Sequence, residues 1–122
     1  MPDGYVTATR RPVPLAEPFA TAEDCWLWTA QTLLARREGV RCRAGIGGNG
    51  IKPCTPDDVL NILNRLYYRR KLDLIHARVL RHWGDIGWPP DPTALSEMRD
   101  HAIWVDALDR MHLPLKIKGI VV

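Results

Sequence analysis

Residues 55–84 read TPDDVLNILNRLYYRRKLDLIHARVLRHWG, and this stretch decides the fold class. Thr55 is a helix cap, Pro56 suits the first helical turn, and Asp57 and Asp58 meet the positive end of the helix dipole. Val59, Ile62, Leu63, Leu66 and Tyr67 then recur at i, i+3, i+4, i+7 and i+8, the spacing of one buried helix face. Asn61, Asn64, Arg65 and Tyr68 fall on the polar side. Arg69, Arg70 and Lys71 are expected in the last turn, where cations complement the negative helix end. Asp73 caps a second, short helix over about 74–83, closed by Gly84, with Leu72 stapled onto Ala77. In that helix Ile75, His76, Val79, Leu80 and Trp83 share a broad apolar face, and Arg78, Arg81 and His82 share the opposite one. Two capped helices joined by a few residues make a helix-turn-helix-like pair.

Outward from this pair, the chain punctuates itself with proline and glycine. Residues 1–20 carry four prolines and no periodicity and are expected to be a flexible arm, leaving 21–122 as one helical domain. Thr21 caps a helix to about Glu38, stopped by Gly39. Trp26, Ala30, Leu33 and Leu34 form its stripe, with Leu27 at the edge and Trp28 and Ala35 on the other side. Residues 39–54, GVRCRAGIGGNGIKPC, hold five glycines and predict a loop, or a short hairpin turning at Asn49-Gly50. Residues 84–93 are a proline-rich turn. A fourth helix is expected from Asp91-Pro92 or Ser96 to about His112, ended by Pro114. Its stripe is Met98, His101, Val105, Leu108 and His112, with Trp104 and Met111 beside it, and Asp106 and Arg110 pair on the wet side. The tail LPLKIKGIVV reads as a short strand or a docked extension. The fold class is therefore all-α: a small four-helix domain containing the helix-turn-helix-like pair and a Gly-rich loop.

Charge and composition narrow the function classes. The 122 residues carry a net charge of +3, with 46% hydrophobic and 25% charged residues, an ordinary globular balance. Between Arg65 and Trp83, however, Arg65, Arg69, Arg70, Lys71, Arg78 and Arg81 face a lone acid, Asp73, and such uneven fields steer polyanions. High Arg, Ala and Pro usage points to a GC-rich bacterial genome. No apolar run nears the roughly 18 residues of a membrane span, and the first residues lack a signal peptide's apolar core, so a cytoplasmic protein without a membrane partner is expected. Three cysteines, Cys25, Cys42 and Cys54, do not form a disulfide framework. Cys42 and Cys54 lie across the Gly-rich loop, but a reducing compartment disfavours their pairing.

Residues 63–84, LNRLYYRRKLDLIHARVLRHWG, resemble the first two helices of the tri-helical helix-turn-helix in sigma-factor region 4 and many small regulators. In that family a leucine (here Leu72) leads into a short helix with a buried alanine (here Ala77) and a closing glycine (here Gly84). The likeness covers 22 of the 122 residues. The resemblance implies a third, basic recognition helix directly after a tight turn. This chain instead inserts Trp88-Pro89-Pro90-Asp91-Pro92, and its next helix carries Glu97, Asp100, Asp106 and Asp109. Any groove-facing element is then helix 74–83 or the first turn of the last helix.

The expected function is a DNA-binding transcriptional regulator of bacterial or phage-like type, with double-stranded DNA as partner. Its nucleic-acid-binding residues are Arg65, Arg69, Arg70, Lys71, Arg78, Arg81 and His82, with arginines suited to guanine edges and phosphates. The blander account of the same residues is helix capping and surface solubility. Arg41, Arg43 and Lys52 join the backbone contacts if the Gly-rich loop acts as a wing. The alternative function is a protein–protein adaptor or homo-oligomer that uses exposed Trp28 and Trp88 as partner-binding residues. The glycines at 45–50 lack the strand and helix context of a nucleotide loop. No zinc-ligand spacing links His76, His82, His101, His112 and the cysteines, and His76 reads as a satisfied core histidine. Ser96, the sole serine, reads as a cap. No catalytic residue, metal or cofactor is expected.

Overall fold

A computed structural model of the chain describes residues 16–39 and 52–122. The Asn49-Gly50 turn, Arg41, Arg43, Cys42 and most of the proline-rich arm lie outside the described residues. Among those described, the chain forms four helices: α1 (Ala22–Arg37), α2 (Pro56–Tyr68), α3 (Leu74–Ile86) and α4 (Met98–Ile117). No strand is present among them. A single parallel bridge joins Phe19 to Val121, so the tail docks beside the entry to α1 as an extension, with Ile120 and Val121 buried.

The helix starts follow the capping chemistry. Thr21 Oγ1 accepts from Asp24 N at 3.0 Å. Thr55 and Asp58 form a reciprocal box: Thr55 N donates to Asp58 Oδ2 at 2.9 Å and Asp58 N donates to Thr55 Oγ1 at 3.3 Å. At α3 a histidine takes the usual glutamate position. Asp73 N donates to His76 Nδ1 at 3.0 Å, which places the ring proton on Nε2, and Nε2 donates to Asp106 Oδ2 at 2.7 Å. His76 is thus buried with both ring nitrogens satisfied, and it ties the start of α3 to the middle of α4.

Trp26, Val59, Leu80, Trp104, Met111 and Leu115 lie in one core shared by the four helices. Each of its indoles has a partner, as burial of a polar N–H requires. Trp26 Nε1 donates to Leu80 O at 2.8 Å, Trp83 Nε1 to Asp100 Oδ2 at 3.0 Å, and Trp104 Nε1 to Glu23 Oε1 at 2.7 Å. Every pair of helices packs except α2 with α3, which touch only marginally although they are consecutive.

Five expectations are corrected. First, α3 does not stop at Gly84 but runs to Ile86, and Gly87, at φ 92°, is the left-handed cap. Gly84 is needed inside the helix: a Cβ there would sit 2.7 Å from Ala30 Cβ and 3.0 Å from Trp26 Nε1. Second, α2 ends at Tyr68, so Arg69, Arg70 and Lys71 form a turn rather than a last helical turn. Lys71 N donates to Leu66 O and Arg70 N to Tyr67 O, a Schellman closure with Arg70 at φ 60°. Third, α4 starts at Met98 and continues through Pro114 to Ile117. An internal proline costs about 3 kcal/mol, and the burial of Met111 and Leu115 on either side of it offsets that cost. Fourth, the buried stripe of α4 is Trp104, Ala107, Leu108, Met111 and Leu115. Met98 and Val105 remain 48% and 39% exposed, and His112 is exposed. The two large side chains, Trp104 and Met111, set the helix's rotation, not the regular 3-4 spacing. Fifth, Ala77 and Ile75 are exposed, so the buried alanine of the family pattern is absent here.

Candidate functional site

Arg65, Arg69, Arg70, Lys71, Arg78, Arg81 and His82 are all exposed, but they do not share one surface. Along α2 and its C-cap, Ile62, Arg65, Leu66 and Arg69 fall at i, i+3, i+4 and i+7 and face a hollow walled by Leu113, Ile117 and Lys118 of the α4 end. Leu60, Leu63, Asn64 and Tyr67 lie about half a turn away and open towards α1 and α3. Arg65 and Arg69 therefore belong to the α4 flank. Arg81 belongs to the α1 flank, beside Arg37. Arg70 and Lys71 sit on the turn between the two, where Lys71 O accepts from Arg110 Nη1 at 2.9 Å.

On α3, Arg78, Arg81 and His82 stand together on the outward face, as helical spacing requires. His82 packs edge-on to Trp83, with ring centroids 5.0 Å apart. Asp85 is the acid of this face. Its Oδ1 holds Arg37 Nη2 at 3.3 Å, and its Oδ2 lies 3.9 Å from Arg81 Nε. Two guanidinium groups thus share one carboxylate. Among the described residues, Arg65, Arg69, Arg70, Lys71 and Arg78 form no ion pair with a carboxylate.

Between α2 and α3 lies an apolar groove of about 450 Å³ whose floor is α1. It exists because the small residues Ala30 and Gly84 draw α1 and α3 together while nothing draws α2 onto α3. Sequence periodicity placed Leu63 and Tyr67 on a core face, and they line this groove instead.

The two aromatic residues expected to meet a partner differ. Trp28 is half-buried, with its ring tilted against Phe19 at 5.3 Å between centroids, and Lys52 Nζ lies 5.3 Å over the same Phe19 ring. Trp88 is 70% exposed.

Two further groups carry shifted titrations. Hydrogen bonds from His76 and Arg110 hold the Asp106 carboxyl below the usual aspartate range. A hydrogen bond from Cys25 to Cys54, together with burial, pushes the Cys25 thiol up, and the same bond brings the Cys54 thiol down against the opposing effects of its own burial and of Asp58. Both cysteines are free. Sequence reasoning missed this pair because Cys25, in the first turn of α1, lies far along the chain from Cys54. Among the described residues, no cluster of three or more His, Cys, Asp or Glu could hold a metal ion, and no helix is long and apolar enough to cross a membrane.

No family model, no curated protein and no solved structure matches this chain.

Proposed function

We propose that the chain is a small DNA-binding regulator of bacterial or phage-like type that docks on double-stranded DNA through the outward face of α3 and the turn before it. The observation that carries this reading is the uncompensated charge of that surface. Arg70, Lys71 and Arg78 have no carboxylate partner among the described residues, and Arg81 shares Asp85 with Arg37. Cations left unpaired at a protein surface are the means by which phosphates are neutralised and counterions released. The strain at Arg70 supports the same reading. A left-handed backbone is cheapest for glycine and costs another residue about 1–2 kcal/mol, yet an arginine holds that position. In this reading Arg78 and Arg81 reach base edges, with His82 beside them, while Arg70 and Lys71 meet phosphates. Arg65 and Arg69, on the other flank of α2, contribute to the general field rather than to the same contact.

The test is fluorescence anisotropy with a labelled duplex across a salt series. Wild-type affinity is expected to fall steeply with salt. In the Arg78→Ala, Arg81→Ala double variant the affinity should fall by about 1–3 kcal/mol for each lost base-edge contact, whereas in the Arg70→Ala, Lys71→Ala variant the slope of log K against log salt should drop by about two, one for each lost phosphate contact. The Arg65→Ala, Arg69→Ala variant should change it less. An unchanged affinity in the α3 variant overturns the proposal.

A second reading, a protein-binding module, is favoured by the exposed aromatic and aliphatic residues of the proline-rich connection. Trp88 and Leu95 are 70% and 89% exposed there, and exposed tryptophan is typical of interfaces. Concentration-dependent sedimentation that Trp88→Ala abolishes would favour this second reading.

A further inference from the structure

We infer that the groove between α2 and α3 is a binding site for a small amphiphilic monocarboxylate, with its apolar chain along the trough and its carboxylate at the Arg37–Arg81 end. The inference does not depend on DNA binding. Three features carry it. The volume, about 450 Å³, lies within the range of small-molecule sites, about 300–1,000 Å³. The walls are apolar over most of their length: Leu33 on the floor, Leu60 and Leu63 on the α2 side, and Leu74, Ala77 and Leu80 on the α3 side. The α2 wall from Leu60 to Tyr67 runs roughly 10 Å at 1.5 Å per residue, a span suited to a medium-length alkyl chain.

Charge at one end selects the head group. Arg37, Arg81 and Asp85 all line the groove. The single Asp85 carboxylate lies 3.3 Å from one guanidinium and 3.9 Å from the other. This leaves one net positive charge where the apolar wall ends. A neutral apolar ligand leaves that charge unused, and a cationic head group is repelled by it. A single carboxylate matches it in sign and number, and arginine is well suited to grip a carboxylate through two parallel hydrogen bonds. A long partner helix fits less well, since the α2 wall offers only about two helical turns.

The probe is decanoate, kept below its micelle concentration and titrated into isotope-labelled protein while amide and indole resonances are followed. Decyltrimethylammonium serves as the chain-matched cation. Decanoate should shift Ala30, Leu63, Ala77 and the Trp26 indole N–H in a saturable manner, and the cation should bind far more weakly. Arg81→Ala leaves Arg37 balanced by Asp85 and should weaken decanoate about tenfold, the loss expected of one hydrogen-bonded charge contact. Asp85→Ala should tighten it severalfold, and the Arg81→Ala, Asp85→Ala double variant should return towards wild type because one net positive charge is restored. Ala77→Phe should fill the trough and abolish binding, with circular dichroism confirming that the variant is folded. Equal affinity for the anionic and cationic amphiphiles, saturable shifts elsewhere on the surface, or unaltered binding in folded Ala77→Phe overturns the inference. So does a concentration-dependent dimer that decanoate fails to disperse and Ala77→Phe dissociates, since a second copy would then fill the groove.

Discussion

The two sides of α3 show opposite outcomes of helix packing. Towards α1, α3 crosses so closely that no Cβ fits at Gly84 without striking Ala30. Gln31 Nε2 donates to Gly84 O at 2.8 Å, and Trp26 Nε1 donates to Leu80 O, so side-chain hydrogen bonds tie the same crossing. Towards α2, its neighbour in the chain, α3 leaves an open apolar trough. Chain adjacency did not decide which helices pack. The size of the residues at each crossing did: one glycine and one alanine let backbones approach, whereas Leu60, Leu63, Tyr67 and Leu74 line a groove that they do not fill. The tight side supplies stability, and the open side is where a ligand can be accommodated.

Substitutions at matched positions test this contrast. The largest effect is expected at the tight crossing itself. Trp26→Ala removes a buried indole and leaves Leu80 O without its side-chain donor, and it should cost about 3–5 kcal/mol in chemical denaturation. Next comes a paired test in which one change is made on both sides. Ala30→Leu overpacks the α1–α3 contact and should destabilise by about 1–3 kcal/mol. Ala77→Leu enters the open groove and should stay within about 0.5 kcal/mol of wild type. Equal losses at the two sites would mean that the groove is closed in solution. Thr55→Ala removes the reciprocal box at the start of α2, away from both sides, and should cost about 1 kcal/mol. The smallest effect concerns acid. Asp106 titrates lower in the folded chain than in the unfolded one, so its contribution is fully present above the usual value of 3.8 and is lost as pH falls below it. The carboxylate is half-exposed, which limits the size of that contribution. Thermal melts of wild type and Asp106→Asn should therefore converge as the pH is lowered through that range.

The starts of α1, α2 and α3 were legible in the sequence because capping is local chemistry; the start of α4, which has no side-chain cap, was not. Thr21 and Thr55 act within three residues of themselves, and Pro56 is compatible only with a first turn. His76 was legible as a satisfied core residue because it falls on the same face as Val79 and Leu80. Helix ends were harder to read. Gly84 reads as a stop and Pro114 as a break, yet both lie inside helices, since Ala30 and Trp26 demand a small residue at one and buried Leu115 extends the helix past the other. Of the candidate site, the grouping of Arg78, Arg81 and His82 on one face followed from helical spacing. The separation of Arg65 and Arg69 from them did not, because it depends on which flank of α2 meets α4.

Pattern alone determined an all-helical domain with four helices, the N-terminal caps of the first three, and a basic stretch from 65 to 82, because propensity, capping and charge are carried by neighbouring residues. Only the tertiary arrangement decided that α1 rather than α2 lies against α3, that a groove opens between consecutive helices, that Arg37 and Arg81 meet at one carboxylate, and that Cys25 meets Cys54. Those outcomes depend on side-chain volumes meeting across distances that local spacing does not encode.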